Sequence, residues 1–259
     1  MTLPTLSQQK IALVRRLSKR KDREREGRFV VEGERTVAEA LRALPNFRLE
    51  YIIVAKSYAL GKKYAKCKVY TVADDIFRTL TDTETPQGIA AVVKFTPQLD
   101  FVSLANSLMV VCDGVQDPGN LGTIIRSADA VAAAAVFIGP GTVDPFNPKV
   151  VRASMGSLFH VPVINAGNSA ELVKTLKREN VKIVIADHKA QRNFWQADLK
   201  GKLAVVLGGE VLGVSEEYLK AADARVNIPI FGRAESLNVA MAGTVFLYEA
   251  MRQRKEVSN

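Results

Sequence analysis

The chain has 259 residues, enough for two domains of ordinary size, and 47% of them are hydrophobic, which is sufficient for a buried core. No apolar run approaches the roughly 20 residues that a membrane-spanning helix needs. The N-terminus lacks the apolar run and cleavage site of a secretion signal, so we expect a cytoplasmic protein. The two cysteines, Cys67 and Cys112, lie in no CxxC pair and only two histidines accompany them, so the sequence predicts no metal site.

Most of the net charge of +9 lies in the first part of the chain. Residues 1–104 contain 19 Lys or Arg against 12 Asp or Glu, whereas residues 105–259 contain 17 against 15. A basic region beside a nearly neutral one is typical of a protein that binds a polyanion with one part and does other work with the second. The charge distribution alone is equally consistent with an ordinary solvated surface.

The first domain is predicted to begin with a basic helix. The spacing of Ile11, Val14 and Leu17 predicts an amphipathic helix from Ser7 to about Glu26. This helix and the two residues after it contain nine basic and three acidic side chains, so its surface is mixed but mainly cationic.

Strands and helices then alternate, as they do in a small α/β domain. The strands are predicted at Phe29–Val31, Tyr51–Ala55, Lys68–Val72 and Ile89–Phe95, and the helices at Glu34–Leu44 and Asp74–Leu80. Residues 96–103 contain Pro97 and polar side chains, so we place the domain boundary there. The prediction is a first domain of residues 1–100 and a second of residues 105–259.

The second domain is predicted to be a doubly wound α/β sheet of parallel strands, because buried strands alternate with helices along it. The strands are predicted at Leu108–Cys112, Ala135–Ile138, Lys182–Ala186, Leu203–Leu207 and Val226–Ile228. The helices are predicted at Leu121–Ala132, Pro148–Gly156, Ala170–Asn180, Ser215–Ala222 and Leu237–Arg254. Ligands of such folds bind beyond the carboxyl ends of the strands, so the loops there are candidates for function.

The loop after the first strand of this domain ends in Asn120, and the helix that follows carries Arg126. Asparagine is a common helix N-cap, which would give Asn120 a purely structural role. The planar guanidinium of Arg126 is suited to bidentate binding of phosphate. The residues alone leave both interpretations open.

Two further loops carry candidate residues. Leu207–Gly213 is rich in glycine, which either lets a ligand approach the backbone or permits a tight turn, and Glu210 adds a carboxylate. This loop matches neither the dinucleotide-binding nor the phosphate-loop fingerprint, which disfavours a nicotinamide enzyme and an NTPase. Before the last helix, Ser236 is the predicted N-cap, which places Asn238 inside the first turn, where asparagine is unfavourable.

Three motifs in these loops resemble, in the same order, those of the TrmH/SpoU family of SPOUT-class RNA ribose methyltransferases. They are Asn120-x-Gly122-x-x-x-Arg126-x-Ala128, Gly208-Gly209-Glu210-x-x-Gly213, and Ile228-Pro229 followed by Ser236-Leu237-Asn238-Val239-Ala240. The segments Asp144–Ser157, Arg25–Glu34 and Thr85–Gly88 are also similar to that family. The resemblance therefore covers nearly the whole chain.

The resemblance implies an S-adenosylmethionine-dependent enzyme that methylates a ribose 2′-hydroxyl, with ribosomal RNA favoured over transfer RNA. It also implies a homodimer, a deep trefoil knot in the second domain and an RNA substrate-binding role for the first. The implied catalytic residues are Asn120, Arg126, Glu210, Ser236 and Asn238. The implied donor-binding residues are Leu207, Gly208, Gly209, Gly213, Ile228, Ile230, Leu237, Asn238 and Ala240. The residues expected to bind RNA are Arg15, Arg16, Lys19, Arg20, Lys21 and Arg152.

Two other functions remain open: a non-catalytic RNA-binding protein that keeps the fold, and a base methyltransferase on the same scaffold. Intact polar positions in all three motifs argue against the first. Arginine carries its charge at neutral pH, so we expect Arg126 to hold phosphate and stabilise a developing alkoxide rather than act as a free base.

Overall fold

The computed structural model describes residues 3–96 and 107–255, which form two compact units. The first unit comprises Met1–Pro97 and Phe146–His160, and the second comprises Gln98–Pro145 and Val161–Asn259. The predicted boundary at residues 96–103 lies almost entirely outside the described residues. The segment Phe146–His160 packs in the first unit, whereas the sequence analysis placed it in the second domain.

The first unit is built on a sheet with the strand order β1-β4-β2-β3. Its strands are β1 (Arg28–Glu32), β2 (Phe47–Ala55), β3 (Val69–Val72) and β4 (Ile89–Phe95), and its helices before residue 97 are α1 (Gln8–Arg16), α2 (Arg20–Glu26), α3 (Glu34–Ala40) and α4 (Asp74–Arg78). β4 runs antiparallel to β1 and β2, while β2 and β3 are parallel. The alternation of strands and helices predicted for this region is confirmed.

The second unit is a parallel sheet with the strand order β10-β8-β9-β5-β6-β7. The strands are β5 (Leu108–Asp113), β6 (Ala135–Ile138), β7 (Val163–Asn165), β8 (Lys182–Ala186), β9 (Leu203–Gly208) and β10 (Ala224–Val226). The helices after residue 106 are α5 (Pro118–Ala130), α6 (Pro148–Ala153, in the first unit), α7 (Ser169–Arg178), α8 (Glu216–Ala221) and α9 (Val239–Lys255). The predicted parallel α/β sheet is confirmed; the strand β7 was not predicted, and the knot stays a prediction.

The central strands of this sheet are buried on both faces, as their continuous apolar runs indicate. Every residue of β5 is buried, and Met109 and Val111 pack with Phe137 of β6 in one cluster. Burial raises the pKa of Cys112 in β5 to about 12, so its thiol stays protonated and acts as a small core residue. No helix of the described residues is long and apolar enough to cross a membrane.

The predicted single helix from Ser7 to Glu26 is wrong, because the chain breaks between α1 and α2. Lys19 adopts an extended conformation there. The buried guanidinium of Arg23 donates to the carbonyl oxygens of Leu17 and Ser18 at 2.9 and 2.6 Å. Arg23 thus satisfies carbonyls that the end of a helix leaves without partners, and this stabilises the break.

Aromatic packing explains why Phe146–His160 belongs to the first unit. The ring of Phe146 lies 4.8 Å from that of Phe29 and 4.1 Å from that of Phe95. Phe159 packs edge-on against Phe47 at 5.3 Å. From its position in the chain, α6 was predicted to belong to the second domain. In the structure, this ring cluster makes α6 part of the first unit.

We predict that Arg23→Met destabilises the protein, because it removes the donor to one buried and one partly buried carbonyl group while preserving the side chain's apolar stem. The free energy of unfolding in urea should fall by about 1.5–3 kcal/mol. The matched control is Arg20→Met, which removes an exposed pair with Glu24 and should cost less than about 1 kcal/mol. Equal losses for the two variants would contradict the role assigned to Arg23.

Candidate active site

The first two candidate loops meet at the carboxyl edge of the parallel sheet, because β5 and β9 are neighbours and pair Asp113 with Gly208. The backbone N–H of Gly209 donates to the carbonyl oxygen of Asp113 at 2.8 Å. The buried Asp113 carboxylate accepts from the Ser215 N–H at 2.7 Å. Asp113 therefore holds both ends of the glycine-rich loop.

The glycines of this loop are required by the turn itself. A Cβ on Gly208 would lie 2.5 Å from the carbonyl carbon of Gly213, and one on Gly209 would lie 2.1 Å from the oxygen of Gly114. Gly213 has a φ of +68°, which favours glycine. The sequence left two interpretations of these glycines open, close approach of a ligand or a tight turn. The backbone contacts directly support the tight turn. This turn places Glu210 at the tip of the loop.

Three predicted catalytic side chains form one hydrogen-bonded chain. The Asn238 Oδ1 accepts from the backbone N–H groups of Ala240 and Met241 at 2.9 and 3.3 Å. Its Nδ2 donates to Asn120 Oδ1 at 2.9 Å, and Asn120 Nδ2 donates to Glu210 Oε1 at 2.6 Å. We call this chain of Asn238, Asn120 and Glu210 the amide relay.

The amide relay changes the predicted helix caps. Asp117, not Asn120, caps α5, because its carboxylate accepts from the Asn120 N–H at 2.7 Å. Asn238, not Ser236, caps α9, whose first helical residue is Val239 rather than the predicted Leu237. Ser236 is exposed and makes no hydrogen bond with another described residue. The side chain of Asn120 is free for the relay because Asp117 performs the capping.

Arg126 does not join the amide relay within the chain. Residues seven apart share a helix face, so Asn120 and Ser127 both face α9, where Ser127 Oγ lies 2.7 Å from Thr244 Oγ1. Arg126 is rotated by about 120° from Asn120 around α5. It is exposed, and it has no hydrogen bond or ion pair with another residue of the part that the structure describes.

The predicted donor-binding residues lie at or beyond the carboxyl ends of β9 and β10 and at the start of α9. Leu207 and Ala240 are buried, Ile228 and Ile230 are partly buried, and Leu237 is exposed. Nearby, two buried polar atoms, Ser215 Oγ and Asn227 Oδ1, have no hydrogen-bond partner among the described residues. Unsatisfied buried polar atoms are rare in proteins, and here they flank the loops predicted to bind the donor.

A separate cleft of about 500 Å³ opens at the ends of β5 and β6. Its lining includes Asp113, Gln116, Asn168, Leu212 and Gly213. Of the predicted donor-binding residues, only Gly213 lines it. The cleft is therefore next to the glycine-rich loop but does not coincide with the predicted donor site.

The predicted RNA-binding residues all lie in the first unit, including Arg152 of α6. The five predicted residues in α1, in α2 and in the break between these helices are exposed. They are Arg15, Arg16, Lys19, Arg20 and Lys21. Three of these side chains have partners within the unit. Arg15 donates to Thr79 at 2.8 Å, Arg16 lies 3.9 Å from Glu26, and Arg20 pairs with Glu24 at 2.7 Å.

Sequence reasoning missed two supporting residues, Asp113 and Asp117. Asp117 followed by Pro118 is a recognisable helix start, since aspartate is a preferred N-cap and proline is favoured at the next position. That signal was sufficient to find the α5 cap. Nothing in the local sequence marks Asp113, whose role depends on contact with Ser215, 102 residues away.

We predict that Asn238→Ala and Asn238→Asp distinguish the role of Asn238 as the N-cap of α9 from its role in the amide relay. Alanine removes the acceptor for two N–H groups and should lower the free energy of unfolding by about 1 kcal/mol. Aspartate keeps that acceptor and its charge suits a helix N-terminus, so stability should stay within about 0.5 kcal/mol of the parent chain. Urea unfolding measures both. Equal destabilisation by the two changes would show that Asn238 is not the cap.

Comparison with known proteins identifies the family of this chain. The SpoU rRNA Methylase family matches residues 107–248, and an MRM3-like substrate binding domain matches residues 8–91. The 23S rRNA (guanosine(2553)-2′-O)-methyltransferase of Bacillus subtilis is 36% identical over 93% of this chain and 95% of that protein. Human mitochondrial rRNA methyltransferase 3 is 30% identical over 89% of this chain and 69% of its own length.

Solved structures show the same similarity. The crystal structure of the SpoU methyltransferase AviRb from Streptomyces viridochromogenes, in complex with the cofactor AdoMet, has a TM-score of 0.87 and 28% identity. The alignment covers 98% of this chain and 100% of that one. With one family matching the second unit, a substrate-binding domain matching the first and relatives aligned along nearly the full length, the chain belongs to the SpoU rRNA methylase family.

Proposed function

We propose that the amide relay is the centre at which this protein methylates a ribose 2′-hydroxyl. As a member of the SpoU family the protein is an S-adenosylmethionine-dependent RNA 2′-O-methyltransferase, and ribosomal RNA is its substrate class. The observation that carries the assignment of the site is the hydrogen-bonded contact between one residue of each of the three family motifs. Residues 118 positions apart in the chain meet there at hydrogen-bonding distance.

The residues present fit the methyl donor. The unsatisfied Oδ1 of Asn227, next to Ile228, is a hydrogen-bond acceptor, which suits the amino and hydroxyl donors of an adenosine group. Gly208, Ile228 and Leu237 would hold that group, together with Leu207, Gly209, Gly213, Ile230, Asn238 and Ala240. When bound, S-adenosylmethionine supplies a methyl group activated by its sulfonium.

The relay's contribution is orientation. A ribose hydroxyl is a weak nucleophile while it holds its proton, so the protein must align its oxygen and help the proton leave. Asn120 and Asn238 are held rigidly by the α9 terminus at one end and by Glu210 at the other. Alignment of two reactants contributes several kcal/mol, up to about 7–11 in ideal cases. Ser236, two residues before Asn238, would contact the same substrate.

We also propose a two-fold homodimer formed through α9. One face of α9 packs on α5, while Met241, Val245 and Tyr248 remain 57%, 36% and 46% exposed. These three residues follow the four-and-three spacing of a single helix face. An exposed apolar stripe of this kind favours burial against a second copy, since isologous dimers bring one patch onto itself.

In this dimer Arg126 serves the partner's amide relay. Within its own chain the arginine points away from the α9-facing side of α5 and has no partner among the described residues. A free guanidinium beside a substrate phosphate binds it in a bidentate fork and stabilises negative charge as the alkoxide develops.

The first unit would bind the RNA. Its α1 and α2 carry the predicted cationic contacts, and phosphate contacts by lysine and arginine provide most of the affinity of such surfaces. We place the protein in the cytoplasm, because its two free cysteines fit a reducing compartment.

We predict that Arg126→Ala lowers the single-turnover rate of methyl transfer by about 100-fold, equivalent to about 2.7 kcal/mol, with donor affinity unchanged. Arg126→Lys should restore only part of the rate, because lysine keeps the charge but loses the planar fork. Unfolding curves control for folding. A folded Arg126→Ala protein that turns over at the normal rate would remove the arginine from the site.

Mixing two inactive variants tests the shared site. In a heterodimer of Arg126→Ala and Asn238→Ala chains, one site combines an intact relay with the partner's intact arginine. Random exchange of subunits should therefore recover about a quarter of the parent activity. If the arginine acts within its own chain, every site carries a defect and mixing recovers nothing.

A further inference from the structure

A pocket of about 140 Å³ lies in the first unit, between the end of α1, β1, the turn after α4 and α6. Its walls are mixed, with polar and charged side chains beside an apolar surface that includes Val14, Leu17, Val30, Leu80 and Val151. A cavity of roughly 150 Å³ is known to hold a six-membered aromatic ring. The pocket is therefore of a size to accept one six-membered ring from solvent.

Two carboxylates, those of Glu32 and Asp82, line the pocket. Glu32 of β1 lines the pocket, and its Oε1 accepts from the Thr83 hydroxyl at 2.6 Å. Burial raises the pKa of Glu32, while the Thr83 hydrogen bond and the charge of Arg152 oppose that effect. Thr81 lines the same pocket, and its buried hydroxyl has no hydrogen-bond partner among the described residues. The Glu32 carboxylate thus lines a ring-sized space.

The charges around the pocket favour a nucleic-acid base over other ligands. Glu32 and Asp82 would repel a phosphate inside it. Arg15 and Arg152, which also line it, would repel a cationic side chain but attract the phosphates on either side of an inserted base. Arg15 belongs to the cationic helix proposed above to carry the RNA.

We propose that this pocket binds the six-membered ring of an unstacked guanine of the RNA substrate, other than the methylated nucleotide. An ionised carboxylate only accepts hydrogen bonds, and the Watson–Crick edge of guanine offers two adjacent donors, N1–H and the N2 amino group. Uracil offers one N–H between two carbonyl oxygens, which the Glu32 carboxylate repels. The inference rests on the proposed function in that it takes RNA as the substrate.

The test uses the full-length protein and fluorescence anisotropy with labelled ten-nucleotide RNAs. The RNAs are oligouridine with one central guanosine, the same with inosine, and oligouridine alone. Guanosine should bind about tenfold more tightly than uridine, with inosine in between because it lacks the N2 amino group. Equal affinity for the three RNAs by the parent protein overturns the proposal and requires no variant.

The variant Glu32→Gln then tests whether the preference for guanosine over uridine depends on Glu32. The glutamine keeps the side chain's size but presents an amino group to guanine, so the preference for guanosine over uridine should fall to about twofold or less. The matched control is Glu50→Gln, which removes a half-buried carboxylate paired with Arg28 at 2.7 Å on the same sheet and outside the pocket. The control should keep the full preference. Loss of the preference in both variants, or in neither, contradicts a guanine site at Glu32.

The two proposals fail separately. A parent protein that methylates ribosomal RNA but shows no preference among the three RNAs refutes the guanine site alone. A parent protein that prefers guanosine but transfers no methyl group refutes the proposed reaction alone.

Discussion

The N-terminus of α9 determines the direction of the hydrogen bonds in the amide relay. Its free N–H groups require an acceptor, so the oxygen of Asn238 faces Ala240 and Met241 and the nitrogen faces outward. Asn120 must then present its oxygen to that nitrogen, which leaves its own nitrogen for the Glu210 carboxylate. The need for an N-cap on α9 thus orients the side chain of Asn120 on α5 and, through it, the side chain of Glu210 on the glycine-rich loop.

That arrangement depends on the order of strands in the sheet. β9 is inserted between β8 and β5, so the glycine-rich loop at its end lies directly beside the end of β5. Asp113 then binds the backbone on both sides of the loop, and glycines at 208 and 209 allow the close contact with Gly114 and Gly213. Glu210 is consequently held at the tip of a short, tightly bonded turn within reach of Asn120.

Local sequence patterns were sufficient for most of the fold, whereas the candidate site residues came from the resemblance of three motifs to the family. Periodicity located most strands but missed β7, a three-residue strand with a single buried position, and placed β10 at Val226–Ile228 rather than Ala224–Val226. It also gave a wrong result where side-chain contacts determine the structure. Arg23 stabilises a break in a helix whose apolar spacing is continuous, and the phenylalanine cluster places α6 in the first unit. The motifs identified Asn120, Glu210 and Asn238, but their connection depends on residues far apart in the chain. Arg126 is separated from these three residues by its angular position on α5, which the motif alone does not show.

The central claim is that the reaction takes place on a ribose oxygen, and the product tests it most directly. Ribosomal RNA would be incubated with the protein and S-adenosylmethionine carrying a deuterated methyl group, digested to nucleosides and analysed by mass spectrometry. The account predicts the label on the ribose of a 2′-O-methylated nucleoside, at a linkage that resists alkaline cleavage. A label on the base, with an unmodified ribose, would contradict it.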